Sequence, residues 1–261
     1  MSHEDAVRAR FAATAARLGE LGDRRIDALR ERLRRFVEPA GTERALDAGT
    51  GTGPVALALA PLVREVVGVD LVPEMLAEAR RRAAGVANVA FVEGDCLALP
   101  LEAESFDLAV TSRTIHHLRR PELAIAELAR VTRPGGRVVV VDQIASADPL
   151  EALAHNRIEG LRDPSHVRVL SDADFRGLFE ANRLVLRRFE VEHEERGLAE
   201  SLDLAGCEGE ARQAVFAEVE RLLARGERAG IELRRASDGY ALTQRIAWYL
   251  LHRGPTPTTA I

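Results

Sequence analysis

The apolar positions of this chain change their period along its length. Residues 3–19 and 22–37 carry apolar marks at helical spacing (Val7, Phe11, Leu18, Ile26, Leu29, Leu33, Phe36), which predicts two helices closed by Pro39 and Gly41. From residue 44 onward, short apolar runs alternate with amphipathic stretches. RALDAG (44–49), REVVGVD (64–70), NVAFVEGD (88–95), FDLAVTS (106–112) and the run after the turn in PGGRVVVVD (134–142) read as strands. PVALALAPL (54–62), PEMLAEARRRAA (73–84) and PELAIAELARVT (121–132) read as helices. Each is led by proline, whose missing N–H costs nothing in the first turn. Strands alternating with helices predict βαβ units around a parallel sheet, and near-continuous apolar strands predict a sheet covered on both faces.

The pattern loosens after Asp142. Residues 149–161 and 171–181 read as helices, the second capped by Ser171 with Asp174 at its third position. Residues 184–193 alternate as a strand, 209–228 form an amphipathic helix, and 241–253 read as a last strand. An insertion at about 195–238 is expected to fold over the sheet edge as a lid, and the tail at 254–261 to fray. With no internal repeat, the expectation is one domain over residues 1–261: a helical cap (1–40), a ligand-binding core (41–142) and a substrate-side half (143–253).

Composition changes this picture mainly by exclusion. A hydrophobic content of 46% supports a real core, and a net charge of −5 gives no bulk attraction to nucleic acid or to an anionic membrane. The longest apolar runs are strand-sized, so no membrane span is expected. The start, MSHEDAVRAR, lacks an apolar signal core, so a cytoplasmic location is expected. All 36 basic residues are arginine, which excludes a Schiff-base lysine and a phosphate-loop lysine. Cys96 and Cys207 are too few for a disulfide framework, and neither HExxH nor paired Cys/His spacing occurs, so no metal is expected. The arginine runs at 30–35 and 80–82 read as solvated helix faces.

The candidate chemistry begins at LDAGTGTGP (46–54). Gly49, Gly51 and Gly53, with Thr50 between, follow a strand that carries Asp47 and precede a helix. A dinucleotide site wants G-x-G-x-x-G, but here the third glycine comes one residue early and Pro54 takes its place. Asp47 would also repel a pyrophosphate and attract a cationic ligand group; a ligand-free glycine turn remains the plain alternative. The second strand ends in Asp70, about twenty residues on, where a carboxylate can accept both hydrogen bonds of a ribose diol. The third ends near Asp95 and Cys96, whose carboxylate and backbone amide suit an adenine edge, with Leu71, Val72 and Leu97 to sandwich the ring.

LDAGTGTG, VVGVD, EGDCLALPLEAESFD, TSRTIHHL and ELARVTRPGGRVVVVD, in this order over about residues 44–142, resemble the motif series of the class I S-adenosylmethionine (SAM)-dependent methyltransferases. The resemblance is to the small-molecule branch that includes the ubiquinone/menaquinone-biosynthesis C-methyltransferases. It implies a Rossmann-like α/β/α sandwich with a seven-stranded, mostly parallel sheet of order 3-2-1-4-5-7-6, and a helical insertion between strands 6 and 7. It implies that Asp47, Gly49, Thr50, Gly51 and Gly53 line the methionine part of SAM, that Asp70 and Leu71 meet the ribose and ring, and that Asp95 and Cys96 take the adenine. Thr111, Ser112 and Arg113 would sit beside the methionyl end. His116 and His117 are candidates for a general base, weighed against a packing or capping role. His166, in LRDPSHVRVLSDADF (161–175), is a second candidate, weighed against a plain turn. His3, His155, His193 and His252 read as surface or strand residues. The absence of an NPPY-like stretch after the fourth strand argues for a small acceptor, and Phe11, Leu198, Leu202, Leu204 and Phe216 in the N-terminal helices and the insertion hint at an apolar one; the expectation is methylation at carbon or oxygen, with S-adenosylhomocysteine (SAH) as product. A homodimer is left open. The alternatives are a non-catalytic SAM-binding protein and an NAD(P)-dependent oxidoreductase.

Overall fold

The computed structural model describes residues 2–237 and 239–255; the expected fraying of the last residues falls mostly at 256–261, outside the described residues. Eight strands form one sheet. β1 (Arg44–Ala48), β2 (Glu65–Asp70), β3 (Val89–Glu93), β4 (Phe106–Ser112) and β5 (Thr132–Gln143) run parallel. β6 (Leu184–Gly197) and β7 (Glu232–Ala236) each pair antiparallel with β8 (Gly239–Arg253), which is itself antiparallel to β5. The spatial order is β3-β2-β1-β4-β5-β8-β6, with β7 attached to β8 off this path. The expected order therefore holds with β8 as the last strand. The count of seven is corrected to eight, because β7 doubles back on β8 inside what reads as a purely helical insertion. The PGG at 134–136 is not a free turn but lies within β5.

Alternation along the central strands sorts the core into two layers. On β5, Val138 and Val140 join Phe106, Ile125, Phe175 and Tyr249 on one face; Val139 and Val141 join Leu59, Leu108, Phe36 and Trp248 on the other. Around the sheet lie α2 (Pro54–Leu59), α3 (Pro73–Arg82), α4 (Pro121–Val131) and α6 (Asp172–Ala181), the last with the expected Ser171/Asp174 capping box. A third, smaller cluster joins α5 (Pro149–Arg162), α7 (Leu198–Ala205) and α8 (Gly209–Arg225) through Ile158, Leu198, Leu202, Val219 and Leu222. Most of the insertion is thus committed to its own core, and Arg196 and Leu204 are the members of the 195–238 stretch that reach the cavity described below.

Two sequence expectations at the N-terminus merge into one element. Residues His3–Val37 form a single helix, α1, about 50 Å long at the usual rise, opened by a Ser2/Asp5 capping box. The expected break between residues 19 and 22 is absent, and Gly19 and Gly22, poor helix formers, lie inside the helix. Here they permit close approach: a Cβ at either would fall within 3 Å of the Glu78 or Arg82 side chain on α3. Arg82 in turn bonds Asp23 Oδ1 (2.7 Å) and the Thr52 carbonyl, tying α1 to the loop after β1. Near its start, Arg10 Nε donates to Asp163 Oδ2 (2.8 Å) in an almost fully buried ion pair.

Candidate functional site

A cavity of about 1140 Å³ lies along the C-terminal ends of the parallel strands, where an open α/β sheet binds ligands. α1 walls it from His3 to Arg32. One end holds the predicted cofactor residues Asp47, Gly49, Thr50, Gly51, Asp70, Leu71, Asp95 and Cys96; Ser112, Arg113, His116 and His117 line the same space. Gly53, as N-cap of α2, packs under Phe91 and Ala79 and shapes the loop from behind. His166 does not line the cavity; it lies behind His116, ring centroids 6.1 Å apart.

The loop after β1 is held by carboxylates. Asp47 Oδ2 accepts from the Thr50 hydroxyl (2.6 Å) and the Ala56 N–H (3.0 Å). Burial pushes its pKa up to about 7 against those two bonds. Asp70 accepts from Gly51 N–H (2.7 Å) and Val72 N–H (3.0 Å), and burial raises it too. Gly51 sits at φ +53° with nothing within 4 Å of where a Cβ would stand. The loop therefore presents bare backbone to open space, a cradle that a side chain would fill. Leu71, Val72, Met75 and Leu97 add an apolar patch beside Asp70 and Asp95. Such a site suits a ligand with a flat apolar ring, a diol and a cationic group, and those are the parts of SAM. Cys96 is buried, and desolvation together with Asp70, Asp95 and Asp47 pushes its thiol up, so it is no nucleophile.

Beyond β4 the lining changes. His116 sits on a 3₁₀ turn (Ile115–His117), and its Nδ1 meets Asp142 Oδ1 at 2.6 Å. Asp142, at the end of β5 and fully buried, also accepts the backbone N–H of His116 (3.3 Å) and of Gln143 (2.8 Å). A carboxylate can only accept, so in the neutral imidazole Nδ1 carries the proton and Nε2 the lone pair. His117 instead faces Ser165, with Nδ1 3.1 Å from its hydroxyl; desolvation, then His116, holds its pKa well below the ordinary range. Burial likewise pulls His166 down to about 4, and its Nε2 meets Asn156 Oδ1 at 3.0 Å. His3 reaches the His117 carbonyl (2.8 Å). The reading of His155 as a surface residue is corrected: it is fully buried on α5, near Glu159. Its apolar helix neighbours gave no sign that its face turns inward.

Several residues of the site, lining it or supporting its lining, stood outside the sequence reading. Asp142 was legible only as the acid ending a run of valines. Arg25 from α1, Glu194 and Arg196 from β6, and Gln244, Ile246 and Trp248 from β8 reach the cavity through packing that no local motif encodes. Arg113 has φ +55° and turns its guanidinium onto Glu194. Among the described residues, no group of three or more His, Cys, Asp or Glu side chains could hold a metal ion, and no helix is long and apolar enough to cross a membrane.

Comparison with known proteins gives this geometry a context. Residues 46–140 match the methyltransferase domain family. The uncharacterized methyltransferase YcgJ of Bacillus subtilis is 39% identical over 150 residues, 57% of this chain and 59% of that protein. The crystal structure of YcgJ matches with a TM-score of 0.80 at 26% identity, covering 88% of this chain and 100% of that one. A demethylmenaquinone methyltransferase of Clavibacter sepedonicus is 36% identical over 137 residues, 52% of this chain and 56% of the relative. YafE of Escherichia coli is 31% identical over 144 residues, 52% of this chain and 68% of YafE. The sequence match to YcgJ and the Clavibacter enzyme thus spans little more than half their length. With this fold, strand order and domain match, the chain belongs to the class I SAM-dependent methyltransferases.

Proposed function

We propose that the protein transfers a methyl group from SAM to carbon or oxygen of a small acceptor with an apolar body. One observation carries the cofactor reading: the bare backbone at Gly51 opens into the cavity between carboxylates on three successive strand ends. In this reading residues 41–142 hold the cofactor, while α1 and residues 143–253 shape the acceptor side. Asp70 takes the ribose hydroxyls, and Asp95 with the Cys96 amide takes the adenine between Leu71 and Leu97. Asp47, Gly49, Thr50, Gly51, Ser112 and Arg113 surround the methionine portion, with Gly53 fixing the loop. Bound SAM supplies a methyl group on a positively charged sulfur, open to in-line displacement.

The chain's own task is alignment, exclusion of water and, for an acceptor that must lose a proton, its removal. His116 suits the last role, because Asp142 fixes its tautomer and leaves Nε2 to the cavity. His117, the other candidate, is held by burial below the ordinary imidazole range. Leu18, Leu21, Leu29, Ile246 and Trp248 offer an apolar wall for the acceptor body. The demethylmenaquinone methyltransferase among the relatives agrees with an aromatic acceptor.

Calorimetric titration with SAM, SAH, NAD and NADP, repeated on Asp70→Asn, tests the reading. Micromolar binding of the adenosyl ligands alone, weakened in the variant, supports it. Binding of a nicotinamide cofactor, or of none, refutes it. Release of SAH in the presence of an acceptor separates an enzyme from a non-catalytic binder.

A further inference from the structure

The acceptor side of the cavity contains more positive charge than its own acids neutralise. Arg25 on α1, Arg113 after β4 and Arg196 on β6 converge on one carboxylate, Glu194. Arg25 Nη1 lies 2.5 Å from Glu194 Oε1, Arg196 Nη2 lies 2.6 Å from the same oxygen, and Arg113 takes Oε2. The four side chains line the cavity, and Arg196 and Glu194 are mostly buried, at 13% and 20% exposure. Three cations against one anion leave a surplus of two.

The neighbouring acids are committed elsewhere. Glu192 sits against Arg32 Nε (2.9 Å) and accepts from Trp248 Nε1 (3.1 Å), while Glu190 is shared by Arg32 and Arg188. Despite its burial, Glu194 is held down at about 2 by Arg113, Arg196 and Arg25, while Arg196 is pushed down by burial and by the two other arginines. Arg25 and Arg113 are nearly half exposed, at 49% and 42%, but the mostly buried Arg196 faces their repulsion with little water to screen it, which a further anion would relieve. Guanidinium groups hold carboxylate and phosphate oxygens through paired, charge-assisted hydrogen bonds, and each of these three has donors left after its contact with Glu194.

Building on the methyltransferase reading above, which leaves Arg113 to the methionine end of SAM, we propose that the acceptor carries an oxyanion, a carboxylate or a phosphate, which docks against Arg25 and Arg196 while its apolar body lies toward Trp248. The site then selects an acidic, amphipathic molecule over a neutral one of the same shape.

The test uses the full chain saturated with SAH, titrated with 2-naphthoate, 2-naphthyl phosphate and the neutral 2-naphthamide. At least one anion should bind roughly tenfold or more tighter than the amide, with affinity falling as salt rises; the stronger of the two identifies the group. Arg25→Gln and Arg196→Gln should each erase most of this preference while SAH still binds. Glu194→Gln, which removes the internal competitor, should strengthen anion binding, an effect that a merely structural role would not produce. Equal affinity for anions and amide, no saturable binding of either anion at millimolar concentration, or weaker anion binding in folded, SAH-binding Glu194→Gln overturns the proposal. Failure of the wild type to bind SAH at the outset is a different result: it removes the methyltransferase reading on which the proposal rests.

Discussion

At the glycine-loop end of the cavity, contacts are set by main chain and by carboxylates that end consecutive strands. Asp47 and Asp70 spend their bonds on backbone and on the Thr50 hydroxyl within the same two βα units. At the other end, contacts are set by side chains from α1, the turn after β4, β6 and β8. The two ends share one cavity and one covering helix, yet they differ in what a sequence change does to them. The first end is a local design, in which a loop of nine residues nearly determines the ligand surface. The second is an assembly, in which residues as far apart as Arg25 and Glu194 meet because the sheet closes. A binding function carried by backbone can be kept while the acceptor side is rewritten residue by residue.

The strongest way to break this comparison is to fill the cradle. Gly51→Val puts a branched side chain at φ +53° and into open cavity, so SAM affinity should fall at least about a hundredfold, with a stability loss of about 1–3 kcal/mol for the strained backbone. Calorimetry and thermal unfolding check both, and the acceptor end should keep its anion preference. The reverse lesion is His116→Ala. Turnover, followed as SAH release with a responsive acceptor, should fall by about 10²–10⁴ while SAM affinity stays within a few-fold. Unchanged turnover would remove His116 as a base.

Arg10→Leu acts on the cover that both ends share. It leaves the Asp163 carboxylate, 2% exposed, without its cation, and about 3 kcal/mol of stability should be lost. Denaturant unfolding measures it; a loss below about 1 kcal/mol would mean that Ser165 alone satisfies the acid.

The smallest effect is in pH. In the ligand-free protein, Asp47 titrates at about 7, above its ordinary value, and a cationic ligand group favours its charged form. SAM binding should then release a proton, and affinity should decline as pH falls through about 7, by no more than about tenfold per unit. The sign for stability is opposite. A raised carboxyl stabilises the ligand-free fold at low pH, and that contribution is lost as pH rises toward 7. Asp47→Asn should flatten both curves, and a pH-independent affinity in the wild type would exclude the role.

The same contrast explains what could be read from the chain beforehand. The proline-led helices and the acids at strand ends follow from periodicity and from motifs confined to about a hundred residues, and the sheet order was legible only through the family that those motifs resemble. The single helix over 3–37 was not legible because the close packing of Gly19 and Gly22 against α3 is a tertiary fact. β7 was missed because ELRRA has little alternation and borrows its stability from pairing with β8. His155 and the arginines around Glu194 were invisible for a related reason: burial and convergence depend on which faces α5, α1 and β6 turn inward.

One helix, α1, walls the cavity over some thirty residues and is held at its two halves by Arg10–Asp163 and Arg82–Asp23. One element therefore couples the two ends: a displacement of α1 alters the cofactor end and the acceptor end together. A substitution on the outer face of α1 would act on both ends without touching a reacting group.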